Sequence, residues 1–240
     1  MSHRRWIADE VSGDRAFLLD RNAEHLARAL RVRVGQEFEV STGDAVRLGR
    51  VVRVADDRVE FELGGRVAQK DPAHITLLLA IFKFDRMEWA IEKATELGAS
   101  EIVPVIARRT DAHLAAAAGK RVERWRRIAH EAAQQSRRVS PPEIVAPRAL
   151  KSALAVESEL RILLSESECG IALKQAIDGN WRLEFGNSLA LAVGPEGGWT
   201  ADEIADVTAA GWTSASLGNT ILRAETAAIA ALAIAISELQ

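Results

Sequence analysis

The sequence predicts an α/β domain over its C-terminal two thirds, built on a mainly parallel sheet and preceded by a small β-rich domain. Three observations carry this. From Ile75 onward, wholly apolar runs such as Ile75 to Phe82 and Leu189 to Val193 alternate with stretches of helical period. Before residue 64, short segments alternate apolar and polar residues with period two. Between these regions, Gly64 to Ala73 has the glycine, proline and polar content of a linker. The boundary is placed there, giving domains 1–70 and 71–240.

In the first domain, residues 22–31 have helical spacing, with Asn22 as the expected N-cap. Strands follow at 37–40, 46–48, 52–54 and 59–63. Gly43-Asp44 and Asp56-Asp57 separate them as turn residues. So many short strands in so few residues make a small barrel or half-barrel with one buried face.

In the second domain, the strand at 75–82 leads to a helix at 85–97. Met87, Ala90, Ile91, Ala94 and Leu97 share one face of it, and Gly98 ends it. A strand at 102–106 precedes a helix at 120–136. Its apolar side is Val122, Trp125, Ile128, Ala129 and Ala132, and its other side carries Arg121, Arg124, Arg126 and Arg127. Further strands are predicted at 161–165, 189–193 and 213–217. An alanine-rich helix over 224–239 closes the chain, with little charge to keep a solvent side. Such a helix is buried either in its own domain or against a partner.

Two loops point to chemistry. The strand at 189–193 runs into Gly194-Pro195-Glu196-Gly197-Gly198, where a ligand can press against backbone unshielded by Cβ atoms. Thr200 and Glu203 then form a capping box that opens a helix closed by Gly211. The second loop, Leu217 to Thr226, follows the next strand. Strand-end loops in an α/β sheet form ligand pockets, although each alone also reads as a tight turn. Neither has the spacing of a P-loop or of a dinucleotide fingerprint, which disfavours a nicotinamide-dependent oxidoreductase.

Composition narrows the classes further. Cys169 is the single cysteine, which excludes an internal disulfide and a cysteine-rich zinc site, and the five histidines lack ligand spacing, so no metal is expected. The apolar run Ala227 to Ile236 is too short to span a bilayer, and the N-terminus lacks a secretory core. The reading is a cytoplasmic protein with no membrane role. Net charge is −3, but residues 108–138 carry nine basic against three acidic side chains. That segment is either an RNA-facing stripe or a solvated helix face.

The run G-P-E-G-G-W-T-x-x-E from Gly194, followed by L-G-x-x-I-L-R-x-E-T-A from Leu217, resembles the C-terminal signature of the RsmE-type 16S rRNA uridine-N3 methyltransferases. Lys83-Phe-Asp-Arg-Met-Glu-Trp-Ala-Ile-Glu-Lys-Ala-Thr-Glu-Leu-Gly98 is similar to another run of that family. So are Gln135, Ser136 and Arg138 with Pro142 and Ile144, and, more weakly, His25 to Gly35. The resemblance implies a SPOUT-class α/β domain with a trefoil knot, behind a PUA-like β-barrel RNA-binding domain. It implies S-adenosyl-L-methionine as cofactor, 16S rRNA of the small ribosomal subunit as partner, and a homodimer.

Carried onto this sequence, the expected cofactor residues are Leu164, Ser165, Gly194, Glu196, Gly197, Gly198, Leu217, Gly218, Ile221 and Leu222. Arg138 and Arg223 are candidates to steady charge on the uracil, and Glu196 or Glu225 is a candidate proton acceptor or loop organiser. Arg4, Arg5, Lys83, Arg86 and Arg137 are the RNA candidates. Three positions depart from the family pattern: Gln134 where glutamate is usual, Arg137 where a small residue is usual, and Thr220 where arginine is common. A carboxylate at position 134 therefore cannot be the base. These departures leave a non-catalytic RNA-binding or ribosome-assembly protein as the alternative.

Overall fold

The computed structural model describes residues 5–67, 73–168, 170–178 and 188–239. It divides into two compact units: Met1–Asp71 with Ala133–Pro141, and Pro72–Ala132 with Pro142–Gln240. The assignment of residues 133–141 to the first unit was not foreseen, and it moves Arg137 and Arg138 there.

The first unit holds a curled six-stranded sheet, in the order β1 (Arg5–Ile7), β4 (Glu37–Ser41), β5 (Val46–Val54), β6 (Arg58–Arg66), β3 (Arg15–Leu19), β2 (Glu10–Ser12). Only β1 and β4 pair in parallel. The edge strands β1 and β2 are not paired with each other, so among the described residues this is the half-barrel of the two forms the pattern allowed. Two predicted strands, 46–48 and 52–54, are one strand. Register shifts at Arg47/Gly49 and Val51/Arg53 bend β5 where the alternation had suggested a break.

Val40, Val51, Val59, Phe61 and Leu18 fill the concave face. The helix begins earlier than expected, as α1 (Asp20–Glu24), and continues as a π-helical turn over His25–Ala29. Leu19 occupies the N-cap, and Asn22 instead donates from its amide to the Asp9 carboxylate.

The second unit is a parallel sheet in the order β10 (Arg148–Ala149), β8 (Glu101–Ile106), β7 (His74–Ala80), β12 (Ser188–Val193), β11 (Leu160–Leu164), β13 (Thr213–Ala215), with β9 (Glu143–Ile144) also on β8. The central β7 is apolar on both faces because both are covered. Leu77 and Leu79 enter one core with α2 (Phe84–Glu96), α4 (Val122–Gln135), α6 (Leu173–Asp178) and α8 (Ala224–Leu239). Leu78 and Ala80 enter the other core, with α5 (Leu150–Ala153) and α7 (Ala201–Ala209).

The terminal helix buries Ala224, Ala228, Ala231, Leu232 and Ala235 against its own unit. One helix of this unit was not predicted. Asp111 caps a separate α3 (Ala112–Ala118) by accepting from the His113 and Leu114 N–H groups, and a 3-10 turn joins it to α4. Among the described residues, no helix is long and apolar enough to cross a membrane, and no cluster of side chains could hold a metal ion.

Candidate active site

Sheet order decides where ligands can sit. β12, β11 and β13 are neighbours and all parallel, so their carboxyl ends open on one edge. β7 lies on the other side of β12, and its exit leads to the first turn of α2. The loops leaving these strands surround a cavity of about 370 Å³. A crevice at the carboxyl ends of parallel strands is where α/β sheets bind small ligands.

The loop after β12 is built rather than loose. Gly198 N–H closes a turn onto Pro195 O at 2.8 Å, and Gly198 has φ +68, which L side chains adopt at a cost. The Trp199 indole donates to Leu164 O at 3.0 Å, fastening this loop to the end of β11. A Cβ on Gly194 would stand 3.1 Å from that indole, so this glycine makes room for Trp199. Thr200 and Glu203 form the expected capping box. Glu203 is only 3% exposed, and its carboxylate also accepts from Arg108 N–H at 2.7 Å. One buried carboxylate thus joins the start of α7 to the loop after β8.

The opposite wall is the loop after β13. Gly218 has φ +124, which L side chains rarely adopt, and a Cβ there would meet open space. Ile221 is 82% exposed, an apolar side chain without a protein neighbour to cover it. With Leu164, Leu217, Leu222, Ala224 and Ala227 it gives the cavity an apolar side. Ser165, Glu166, Ser167 and Glu196 supply hydroxyls and carboxylates on its polar side. The Ser165 and Ser167 hydroxyls are 2.8 Å apart.

Nine of the ten expected cofactor residues line this cavity: Leu164, Ser165, Gly194, Glu196, Gly198, Leu217, Gly218, Ile221 and Leu222. The tenth, Gly197, faces Arg109, whose side chain lies 3.3 Å from where its Cβ would be and whose guanidinium donates to Gly197 O. Arg223 lines the cavity and is exposed. Glu225 sits beside it in the first turn of α8, 5% exposed, with Oε2 lacking a hydrogen-bond partner.

Arg138 belongs to the first unit and does not line the cavity. Burial lowers its pKa to about 10, which still leaves it charged at neutral pH. Arg86, one of the RNA candidates, lines the cavity and pairs with Glu196 at 2.9 Å. Arg5 is also engaged internally. Its guanidinium grips the Glu39 carboxylate at 2.8 and 3.0 Å and donates to the Arg137 carbonyl. Arg137, at φ +60, and Lys83 are exposed, while Arg4 lies outside the described residues. Trp6 is buried in the half-barrel core.

Sequence reasoning missed Glu166, Ser167, Trp199 and Arg109. The position of Ser165-Glu166-Ser167 just after an apolar run was the available signal for the first two. For the last two there was none, because their roles depend on neighbours distant in sequence.

An α/β unit with a cavity at its strand ends, walled by glycine loops after β12 and β13, has the form of a small-ligand-binding domain. Residues 69–236 match the RNA methyltransferase domain family. The ribosomal RNA small subunit methyltransferase E of Synechocystis sp. is 32% identical over 97% of this chain and 77% of that protein. Its counterpart in Mycobacterium bovis is 33% identical, over 92% and 83%. The crystal structure of the Neisseria gonorrhoeae ribosomal RNA small subunit methyltransferase E bound to S-adenosylmethionine superposes with a TM-score of 0.82 at 30% identity, covering 97% of this chain and 96% of that one. A Legionella pneumophila structure with bound S-adenosylmethionine gives 0.81 at 26% identity, covering 98% and 97%. The chain belongs to the ribosomal RNA small subunit methyltransferase E family.

Proposed function

We propose that this protein is an S-adenosylmethionine-dependent methyltransferase that modifies N3 of a uridine in 16S rRNA of the small ribosomal subunit. The observation that carries the reading is the cavity itself. Its apolar side, with Ile221 uncovered, suits the flat face of an adenine, and its serines and glutamates suit ribose hydroxyls and a cationic sulfonium. Gly218, without a Cβ, leaves its backbone open to close approach. The bound cofactor supplies an electrophilic methyl group, so the protein's task is largely to position the acceptor in line with it.

Uridine N3 carries a weakly acidic proton. As it leaves, negative charge spreads onto O2 and O4 of the uracil. Arg223, exposed on the cavity wall, is placed to donate to such oxygens. The buried Glu225 carboxylate, beside Arg223 in sequence, has a free acceptor atom and is the candidate to take the proton or to orient its neighbour. Lys83 and Arg137, both exposed, are the RNA contacts retained from the sequence reading, and Arg138 is retained beside them as a charge donor. The same reading carries a homodimer, a cytoplasmic site of action and a trefoil knot.

The test has two stages. Calorimetry should show S-adenosylmethionine binding to the purified protein. Incubation with unmodified small subunits should then yield 3-methyluridine by nucleoside mass spectrometry. Binding without any methylated uridine would leave the non-catalytic RNA-binding alternative standing.

A further inference from the structure

The loop after β12 is gripped by two arginines from distant parts of the chain. Arg109, past the end of β8, holds Gly197 O. Arg86, in the first turn of α2, does something different. Its Nη1 donates to Glu196 Oε1 at 2.9 Å, and its Nε lies 3.8 Å from Glu225 Oε1. Glu196 belongs to the loop on one wall of the cavity. Glu225 follows directly on Arg223 and Ala224 of the opposite wall. Among the described residues, Arg86 is therefore the side chain that reaches carboxylates from both walls.

The two carboxylates differ in what they need. The Glu196 side chain is 42% exposed and can be solvated without help. That of Glu225 is 7% exposed, and its Oε2 has no partner. A buried carboxylate is tolerated where opposite charge lies close. Here the compensation comes from Arg86 and from the N-terminus of the sixteen-residue α8, whose dipole favours an anion. The planar guanidinium fork can face two carboxylates at once, which a lysine ammonium on its single point of charge does less well.

We propose that Arg86 is a positioning residue, tying Glu196 to Glu225 so that the two walls of the cavity are set against each other before the cofactor binds. This rests on reading the cavity as the S-adenosylmethionine site. Arg86 acts here through the two glutamates and need not touch the reacting atoms. It also departs from the expectation that Arg86 contacts RNA, and the two roles separate by experiment.

The experiment is a double-mutant cycle on the full-length protein. S-adenosylmethionine affinity is measured by calorimetry for wild type, Arg86→Gln, Glu196→Gln and the double variant. Arg86→Gln should weaken binding roughly tenfold, a modest loss because the pair is partly solvated. Adding Glu196→Gln to that background should cost less than about twofold, since the interaction has already gone. Arg86→Lys should recover part of the affinity, and RNA affinity with its salt dependence should be unchanged in all variants. Should Arg86→Gln fail to fold by circular dichroism, the same cycle is run with Arg86→Lys. Additive effects, or unchanged cofactor affinity in a folded Arg86 variant, overturn the coupling. A flatter salt dependence of RNA binding with cofactor affinity intact restores the RNA-contact role instead. Failure of the wild type to bind S-adenosylmethionine overturns the site assignment, and this proposal with it, whereas binding with additive variants removes only the role of Arg86.

Discussion

Glu203→Ala removes a group that three donors share. The carboxylate accepts from Thr200 N–H at 2.9 Å, from the Thr200 hydroxyl at 3.0 Å, and from Arg108 N–H at 2.7 Å. Loss of the capping-box arm costs about 1 kcal/mol. Loss of the bond from Arg108 N–H to a buried carboxylate adds about 2 kcal/mol. The total of about 3 kcal/mol corresponds to a melting temperature lower by roughly 6–12 °C for a domain of this size. Glu203→Gln keeps one acceptor and the shape of the side chain, so it should lose about half as much. Scanning calorimetry of the three proteins measures this directly. Because Thr200 follows Gly198 and Trp199, cofactor affinity should fall in step with stability. A Glu203→Ala protein that melts within about 2 °C of wild type would show that the carboxylate is not what fastens α7 to the end of β8.

Other positions give contrasting signatures. Gly198→Ala places a Cβ in the left-handed region and 2.8 Å from Glu166 Oε1. It should cost about 1–2 kcal/mol in a thermal melt, with the Glu166 carboxylate swinging aside, and should weaken S-adenosylmethionine binding. Ile221→Ser should leave the melting temperature unchanged, because the side chain is 82% exposed. On the proposed reading of the cavity, in which the cofactor covers this side chain, the same change should weaken cofactor binding roughly tenfold by calorimetry. Arg223→Ala should slow single-turnover methyl transfer by roughly 100-fold at saturating RNA, with cofactor affinity preserved. An unchanged rate would return the charge-steadying role to Arg138. Arg5→Ala should lower the stability of the first unit by about 1–2 kcal/mol, because its side chain is 9% exposed in the pair with Glu39. Binding titrations should find the salt dependence of RNA affinity unaltered by it.

What was legible in the sequence follows how local each signal is. The capping box at Thr200 and Glu203, the stop at Gly98 and the span Ala224–Leu239 depend on residues close in sequence, and they are where the pattern placed them. The bend in β5 was misread and the helix α3 was missed. A bulged strand and a broken one share the same alternation, and Asp111 as a cap is visible only once α3 is in view. Most of the cavity lining could be named because it comes from two contiguous loops. Gly197 could not be told from Gly198, since their difference is a long-range contact with Arg109.

Arginine was the residue type that the sequence described least well, and the reason is physical. Arginine and glutamate pair across elements that no spacing rule connects. Arg124 binds Glu88 at 2.6 Å, Arg121 approaches the same carboxylate at 3.7 Å, and Arg126 donates to Ile144 O. The basic excess of residues 108–138 is thus partly offset by a carboxylate outside that stretch. Arg121, Arg124 and Arg126 thus brace the second unit, although their side chains stay 43%, 50% and 50% exposed. Arg5 and Arg86 repeat the pattern, each engaged by a glutamate from elsewhere in its own unit. A count of positive charges along the chain therefore overstates what is available to a polyanion. Exposed basic side chains outside these pairs include Lys83, Arg108, Lys120, Arg127 and Arg137. In a chain with an overall charge of −3, the grip on RNA has to come from placement more than from field strength.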